Sequence, residues 1–219
     1  MKAPAVAMAA TSDVHWSVRV DAVKRRDGQW WLSGDGFATE AFDRMVIALP
    51  SEQSSDLLAP CRAPFAARAA AVASFPCWTV MVAFADRVPM AADTLRNVGP
   101  MGWAARDSAK PGRASIESWV IQASAPWSTA YLDDESQTDI ETLSEALASA
   151  ADAALPPVVA RVAHRWRYAQ SGTLDEDCLW DAAVGIGICG DSLICPRIEA
   201  AWRSGTALAD RMTGGTEPV

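Results

Sequence analysis

The sequence predicts a mixed α and β protein, of the α+β or α/β class, built as two interleaved lobes. Short apolar runs of the kind that form buried strands recur from one end of the chain to the other. Helical periodicity is confined to a few segments, the clearest lying between 136 and 154. The elements run β-β-β, then α and β mixed, then β-α, so the two chain ends are expected to return to one lobe. With 219 residues, 50% hydrophobic and 21% charged, the chain can bury a real core and is not of the disordered class.

Taken in order, Trp16, Val18 and Val20 alternate with polar residues and Val23 follows after a bulge, which predicts a first strand. Arg26-Asp27-Gly28 signals a turn, because glycine takes φ > 0 and aspartate bonds its own backbone. Gln29 to Ser33 returns, and Gly34-Asp35-Gly36 turns the chain again. Arg44 to Leu49 is an apolar run of the type buried on both faces of a sheet, completing a three-stranded unit in the first fifty residues. Pro50 stops it, and Ser51 is placed to cap a helix over Glu52 to Leu58.

An Ala-rich helix is expected over 63–73, and Trp78 to Ala85 is a strong buried strand. Pro and Gly at 89, 99, 100, 102, 111 and 112 predict mostly loop across 86–114, with one short piece around Trp103. Ser115 to Ala123 is a further strand. Ser136 with Asp139 resembles a capping box, and Ile140, Leu143, Leu147, Ala150 and Ala154 follow at helical spacing until Pro156 and Pro157. Val158 to Ala169 alternates as a strand and Val184 to Gly190 is a glycine-interrupted one. After a short loop, Pro196 opens a last helix that runs to about Met212.

Composition removes several function classes. The formal charge is −8, from 27 acidic and 19 basic residues. That balance argues against a nucleic-acid binder, whose affinity comes mainly from neutralising phosphates, and it offers anionic membranes no polybasic handle. No apolar run reaches the ~18 residues of a membrane span. Met1 to Ala10 has the outline of a signal peptide, but its run is alanine-dominated and leads straight into the first predicted strand, so it is not read as one. Five cysteines (61, 77, 178, 189 and 195) form no C-x-x-C pair, and an odd number argues against a disulfide framework. With His15 and His164 alone, a zinc site is short of ligands and no metal is expected. These features place the chain in a reducing cytoplasm. Ten tryptophans against two tyrosines are unusual. Trp16, Trp30, Trp31, Trp103, Trp119, Trp127 and Trp166 fall in or beside strands, and core packing accounts for them better than a stacked ligand.

The segment from Gly185 to Asp210 is the most informative chemically. Gly185, Gly187 and Gly190 fit G-x-G-x-x-G, with an acid twenty residues on at Asp210. The match is rejected: Asp191 to Cys195 separates the last glycine from the helix, and Asp210 falls inside that helix instead of at a strand end. A strand ending in Gly190-Asp191, with the next helix aiming its N-terminus back at it, fits better. Free N–H groups and the helix dipole there favour an anionic or polar ligand. Ala200, Ala201 and Gly205 would let this helix approach something flat and large. Ser128 and Ser204 lack a His or Asp partner at recognisable spacing, so no hydrolase triad is expected. Cys189 and Cys195 read as small buried apolar residues, and Arg165 and Arg167 as solvated or paired cations on one face of their strand.

The same residues carry a resemblance. Gly190-Asp191, a short loop and Arg197-Ile198-Glu199-Ala200-Ala201-Trp202-Arg203-Ser204-Gly205 resemble the C-terminal FAD motif of renalase-like flavoproteins, in the flavin-containing amine oxidase superfamily. Trp119-Val120-Ile121-Gln122-Ala123 with Pro126-Trp127-Ser128, and His164-Arg165-Trp166-Arg167-Tyr168-Ala169, resemble two more stretches of that family in the same order. The resemblance runs from about residue 15 to 212. It implies an incomplete FAD-binding lobe interleaved with a mixed-sheet substrate-binding lobe: 1–50 as a β unit of the FAD lobe, 51–172 as the substrate lobe, and 173–219 returning to the FAD lobe. The lobe is expected to be incomplete because the family's N-terminal dinucleotide-binding unit, with its own G-x-G-x-x-G, has no counterpart before residue 15.

The resemblance also implies FAD as cofactor and a role for particular residues. Gly190 and Asp191 would lie beside the ribityl and pyrophosphate portion, and Arg197, Ile198, Glu199 and Ala200 would start the helix whose N–H groups meet the flavin's pyrimidine oxygen. Val20 would touch adenine through its backbone, and Leu49-Pro50 would lie beneath the ADP moiety. Trp127, His164 and Trp166 would face the substrate cavity, and no catalytic residue is assigned. Ala200 stands where the family has glycine, and Ser192 to Pro196 departs from its loop. The implied function is FAD-dependent oxidoreduction, with hydride passing from a reduced nicotinamide-like or amine donor to flavin and oxygen as acceptor. The alternative is a non-catalytic truncated or split flavoprotein domain that binds a partner, either a complementing N-terminal chain or a second copy, in place of FAD.

Overall fold

Two tight turns shape the first part of the chain. The computed structural model describes residues 2–38, 41–61, 65–113, 115–133 and 136–214. Helix α1 (Lys2–Ala9) leads into an irregular stretch, after which β1 (Ala22–Arg26), β2 (Gln29–Gly34) and β3 (Phe37–Ala38) form an antiparallel meander. Asp27 and Gly28 both take positive φ, 51° and 83°, which gives the β1–β2 turn the twist of a primed two-residue hairpin. The strand expected from Trp16 to Val20 does not form. Ser17 takes φ 60°, which breaks an extended run, and Trp16 is left 68% exposed. The apolar run at 44–49 does yield a strand, β4 (Met45–Ile47), but outside the meander: it pairs in parallel with residues 186–188. Its Val46 is exposed, so only one face of the run is covered.

Helix α2 (Ser51–Leu58) starts directly after Pro50, and the expected Ser51 cap is not made, because Ser51 is itself the first helical residue and is buried. Helix α3 (Ala66–Ala70) is shorter than the helix expected over 63–73, whose positions 63 and 64 lie outside the described residues. Then follow β5 (Ser74–Phe84), β6 (Thr94–Val98), β7 (Met101–Arg106), β8 (Glu117–Ala123), α4 (Ala125–Ala130), α5 (Ser136–Ala151) and β9 (Val158–Ser171). The strands form one antiparallel sheet in the order β6-β7-β8-β5-β9.

β7 is the short piece expected around Trp103, but its hairpin partner β6 corrects the expectation of loop across the rest of 86–114. Gly99 and Pro100 are its turn, since Val98 pairs with Met101. Gly102 serves a close approach, because a Cβ there would lie 3.1 Å from Ser124 Cα. Trp78, Val80, Val82 and Phe84 alternate on one face of β5 and join Ile140, Leu143 and Leu147 of α5 in a single core cluster. Asp152, at φ 50°, follows the end of α5 before Ala154 is reached. The side chains of the expected Ser136–Asp139 capping pair lie outside the described residues.

The chain closes with β10 (Leu179–Asp181), β11 (Ile186–Ile188), a single turn α6 (Asp191–Ile194) and α7 (Ile198–Thr213). The sequence reading contained neither β10 nor α6, and the last helix begins two residues later than Pro196. A three-stranded sheet runs β10-β11-β4, antiparallel on one side of β11 and parallel on the other. Gly187 sits under α7: a Cβ there would meet Leu208 Cδ1 at 2.6 Å. A second core cluster gathers Val23, Trp30, Met45, Ile47, Leu179, Ile186 and Ile188. Leu58, Phe65 and Ala69 pack in it too, although they follow the boundary expected at residue 50.

Candidate functional site

Parallel pairing of β4 with β11 delivers Leu49-Pro50 and Gly190-Asp191 to the same sheet edge. The Cys189 amide donates to the Ile47 carbonyl at 3.1 Å, holding the two strand ends together. Helix α2 begins after Pro50 and α7 after Arg197, and neither start carries a side-chain cap. Their first-turn N–H groups are therefore available to an anionic or polar ligand. The crevice outside the C-terminal ends of parallel strands is where open α/β sheets bind ligands. A cleft of about 780 Å³ opens along β4, walled by Val20, Met45, Ile47, Leu49, Leu57 and Tyr168 among others. Its size lies within the ~300–1,000 Å³ of small-molecule and cofactor sites.

Val20 and Leu49 thus share one cavity, with Pro50 half-buried beside it. Gly190, Asp191 and the start of α7 are not among its walls and gather at the neighbouring strand end. Gly190 takes φ 157°, a conformation that glycine tolerates best. Its N–H donates to the buried Ser204 hydroxyl at 3.0 Å, which ties the end of β11 to α7. Asp191 is half-buried and opens α6. Of the α7 residues, Ala200 is buried, while Arg197, Ile198 and Glu199 are exposed. Burial raises the Cys189 thiol above its ordinary value, and Cys178 adds to that, so Cys189 is not a thiolate nucleophile at neutral pH.

A second set of residues lies on the large sheet. Thr79 pairs with His164 and Cys77 with Trp166 across β5 and β9, and directly opposed residues share a face. This face is turned away from α5. His164 and Trp166 meet edge to face with ring centroids 4.2 Å apart. Gln122 lies opposite Thr79 and Trp103 opposite Gln122, extending the same face across β8 and β7. Toward the other end of the strands, a groove of about 360 Å³ is lined by Met81, Ala83, Val120 and Val162, with Asp107 and Arg161. Burial pushes the Cys77 thiol up, against the smaller opposing effect of the Thr79 hydroxyl. Arg165 and Arg167 both reach the exposed carboxylate of Asp133, at 3.6 and 3.1 Å.

Trp127 does not join His164 and Trp166. The Ser124 hydroxyl caps α4 by accepting from the Trp127 amide at 3.4 Å, and the indole packs against the core cluster on the α5 side, 4.7 Å from the Tyr131 ring centroid. Thr79, Gln122, Trp103 and Tyr168 were absent from the sequence reading of the site. Two of them left a signal there: Thr79 interrupts the apolar run from Trp78 to Ala85, and Gln122 interrupts Trp119 to Ala123.

No protein-family model matches the chain. Its fold does match solved structures. Cyclohexylamine oxidase from Brevibacterium oxydans IH-35A aligns with a TM-score of 0.66 at 13% identity, over 90% of this chain and 48% of that one. A cofactor-binding redesign of putrescine oxidase aligns at 0.66 and 13% identity, over 96% of this chain and 51% of the other. A candidate protoporphyrinogen oxidase from Exiguobacterium sp. 255-15 gives 0.65 and 15%, over 89% and 46%. The chain has the fold of these oxidases. It spans about half their length.

Proposed function

We propose that this chain is about half of the fold of an FAD-dependent oxidoreductase of amine-oxidase type, renalase-like in its C-terminal motif. Hydride would pass from an amine or a reduced nicotinamide-like donor to flavin, with oxygen as acceptor. The observation that carries the reading is the convergence of two uncapped helix starts and Gly190 at the C-terminal ends of β4 and β11, in a fold shared with oxidases. The residues present fit a dinucleotide cofactor at this edge. Uncapped N–H groups suit phosphate or pyrimidine oxygens, Gly190 leaves room for close approach, and the cleft beside β4 offers apolar walls to a flat ring.

FAD supplies the redox chemistry when bound. The chain's own work is binding and orientation. The start of α7, from Arg197 to Ala200, would hold the flavin end, Gly190 and Asp191 the ribityl and pyrophosphate portion, and Val20 with Leu49-Pro50 the adenosine end. His164 and Trp166, with Thr79 and Gln122 beside them, would form the substrate-facing wall. Their aromatic surface would bind the apolar part of such a donor and exclude water from it. We do not include Trp127 in that wall, because it packs on the opposite side of the sheet.

The test is a visible absorption spectrum of the purified chain before and after incubation with FAD and desalting. Retained flavin bands are expected, followed by bleaching on anaerobic addition of an amine or reduced nicotinamide and recovery when oxygen is admitted. A protein that stays colourless after loading refutes flavin binding by this chain. A second reading, a domain that binds a partner chain in place of FAD, is favoured by one feature: among the described residues no strand pairs with the outer edge of β4.

A further inference from the structure

We infer that Cys178 and Cys189 are a redox pair, two thiols set opposite each other across β10 and β11 that close to a disulfide when a peroxide oxidises them. This goes beyond the flavin reading and does not depend on it. Both are thiols in the structure, Cys178 buried and Cys189 half-buried. Leu179 pairs with Ile188, Trp180 with Gly187 and Asp181 with Ile186, and one more step of that register sets Cys178 against Cys189. The two segments stay together beyond the pair. The Glu176 amide donates to the Leu193 carbonyl at 3.0 Å and the Leu174 amide to the Ser192 carbonyl at 3.2 Å.

The hydrogen bonds of β11 fix which kind of pair this is. The Met45 N–H donates to the Gly185 carbonyl and the Cys189 N–H to the Ile47 carbonyl, so Gly185, Gly187 and Cys189 turn their polar backbone groups to β4. Those of Ile186 and Ile188 turn to β10, which makes Leu179 and Ile188 a hydrogen-bonded pair. Pairs alternate along an antiparallel ladder, so Cys178 and Cys189 are of the other kind, in which Cα atoms lie about 4.5 Å apart and side chains approach most closely. Disulfides span Cα separations of about 4.4–6.8 Å, so the bond closes with little movement of either strand. Both side chains share one face. It is the face under α7, since a Cβ on Gly187, two residues before Cys189, would meet Leu208. The thiols themselves register their proximity: Cys178 is one of the two causes that hold Cys189 above its ordinary value.

Cys189 is the more exposed of the two and reacts first. Its sulfur attacks one peroxide oxygen, the O–O bond breaks, and the thiol proton leaves with the departing oxygen as water, giving a sulfenic acid. The Cys178 sulfur then attacks the sulfenic sulfur. The S–S bond forms, the S–O bond breaks, and a second water departs with the Cys178 proton. The two thiols together lose two protons and two electrons, and the peroxide gains them. Burial keeps both thiols protonated, which slows the first attack; geometry decides that the bond can close. The closed bond ties β10 to the strand end that carries Gly190, whose N–H donates to the buried Ser204 hydroxyl of α7. Oxidation thus locks the strand pair beneath α7.

The test treats the full chain, without flavin, with excess hydrogen peroxide overnight at about pH 8.5, where more thiolate is present. Remaining thiols are blocked with iodoacetamide in denaturant, and the chain is cut before aspartate. That cut places Cys178 in 177–180, Cys189 in 181–190 and Cys195 in 191–209. Mass spectrometry should find 177–180 joined to 181–190 in a species that dithiothreitol separates, with free thiols falling from five to three. Hydrogen exchange at the Leu179 and Ile188 amides should slow at least about tenfold in the linked protein, because β10 can no longer fray from β11. Cys189→Ser should show neither the link nor the slowing, and Cys195→Ser should show both. The wild-type map decides the question even where a variant fails to fold. Five surviving thiols, Cys189 carried unlinked to a sulfinic acid, a link from Cys189 to Cys195, or unchanged exchange in the linked protein each overturns the proposal. Because no flavin enters the assay, a chain that binds none leaves its outcome unaffected.

Discussion

Replacing Arg106 by Met should destabilise the protein by about 3–5 kcal/mol, the cost of breaking a buried ion pair from one side. The guanidinium is 1% exposed and stacks 5.0 Å from the Trp119 ring centroid. Its Nε donates to Glu117 Oε1 at 3.0 Å and Nη2 to the carbonyls of Val88 and Met90 at 3.1 and 2.9 Å, while Nη1 pairs with half-exposed Asp93. Methionine keeps most of the aliphatic stem's packing but strips the buried Glu117 of its cation. Among the described residues the carboxylate then keeps the Trp119 Nε1–H at 2.9 Å, the Val88 N–H at 3.2 Å and the Ser108 hydroxyl at 3.2 Å, none of them a cation. Most of the loss comes from that uncompensated charge, because surface-exposed Asp93 contributes little. It follows that Arg106→Met with Glu117→Gln should cost less than the sum of the two single changes, by at least about 1 kcal/mol. The assay is urea denaturation at pH 7 followed by tryptophan fluorescence, against a total stability of about 5–15 kcal/mol. An Arg106→Met loss below about 1 kcal/mol, or strict additivity in the double variant, would refute the reasoning.

Gly187→Ala should cost about 1–3 kcal/mol by overpacking, since its methyl would sit 2.6 Å from Leu208 Cδ1 and 3.1 Å from the Leu179 carbonyl. It displaces α7, so flavin retention should fall with the melting temperature; a neutral substitution would mean that α7 does not pack here. Acid should destabilise the large sheet. Burial raises the Glu117 carboxyl, but the Trp119 indole, the Val88 amide and Arg106 together outweigh it and hold it below its ordinary value. The Lys110 hydrogen bond lowers Asp107. The unfolded chain takes up both protons more readily. The stability these groups supply is therefore complete above about pH 5 and is lost as pH falls through their depressed folded values. Glu117→Gln should flatten the decline of the urea midpoint below that pH, and an unchanged profile would count against Glu117 as its source.

Where a sequence signal is local, the fold was legible. Asp27-Gly28 forces a two-residue hairpin with both φ positive, and the spacing of Ile140, Leu143 and Leu147 places α5 on its sheet. Pairing partners are not local, and that is where the reading failed. The run at 44–49 is as apolar as a meander strand would be, yet it pairs with residues 141 positions away. Nothing in its own composition distinguishes the two partners. The proline and glycine residues of 86–114 misled for a related reason. They mark a strand end at Gly99-Pro100 and a close backbone approach at Gly102, two uses of glycine that look like loop when read in one dimension.

The site divides along the same line. His164 and Trp166 are two residues apart on one strand, so a shared face follows from the period of two alone. Trp127 stands behind a helix cap at Ser124, and the turn of α4 carries it to the far side of the sheet. Gly190-Asp191 and Pro50 meet only because β11 runs parallel to β4, a pairing that local pattern does not encode. The C-terminal end of that parallel pair leads into the uncapped helix starts of α2 and α7 that a cofactor would use.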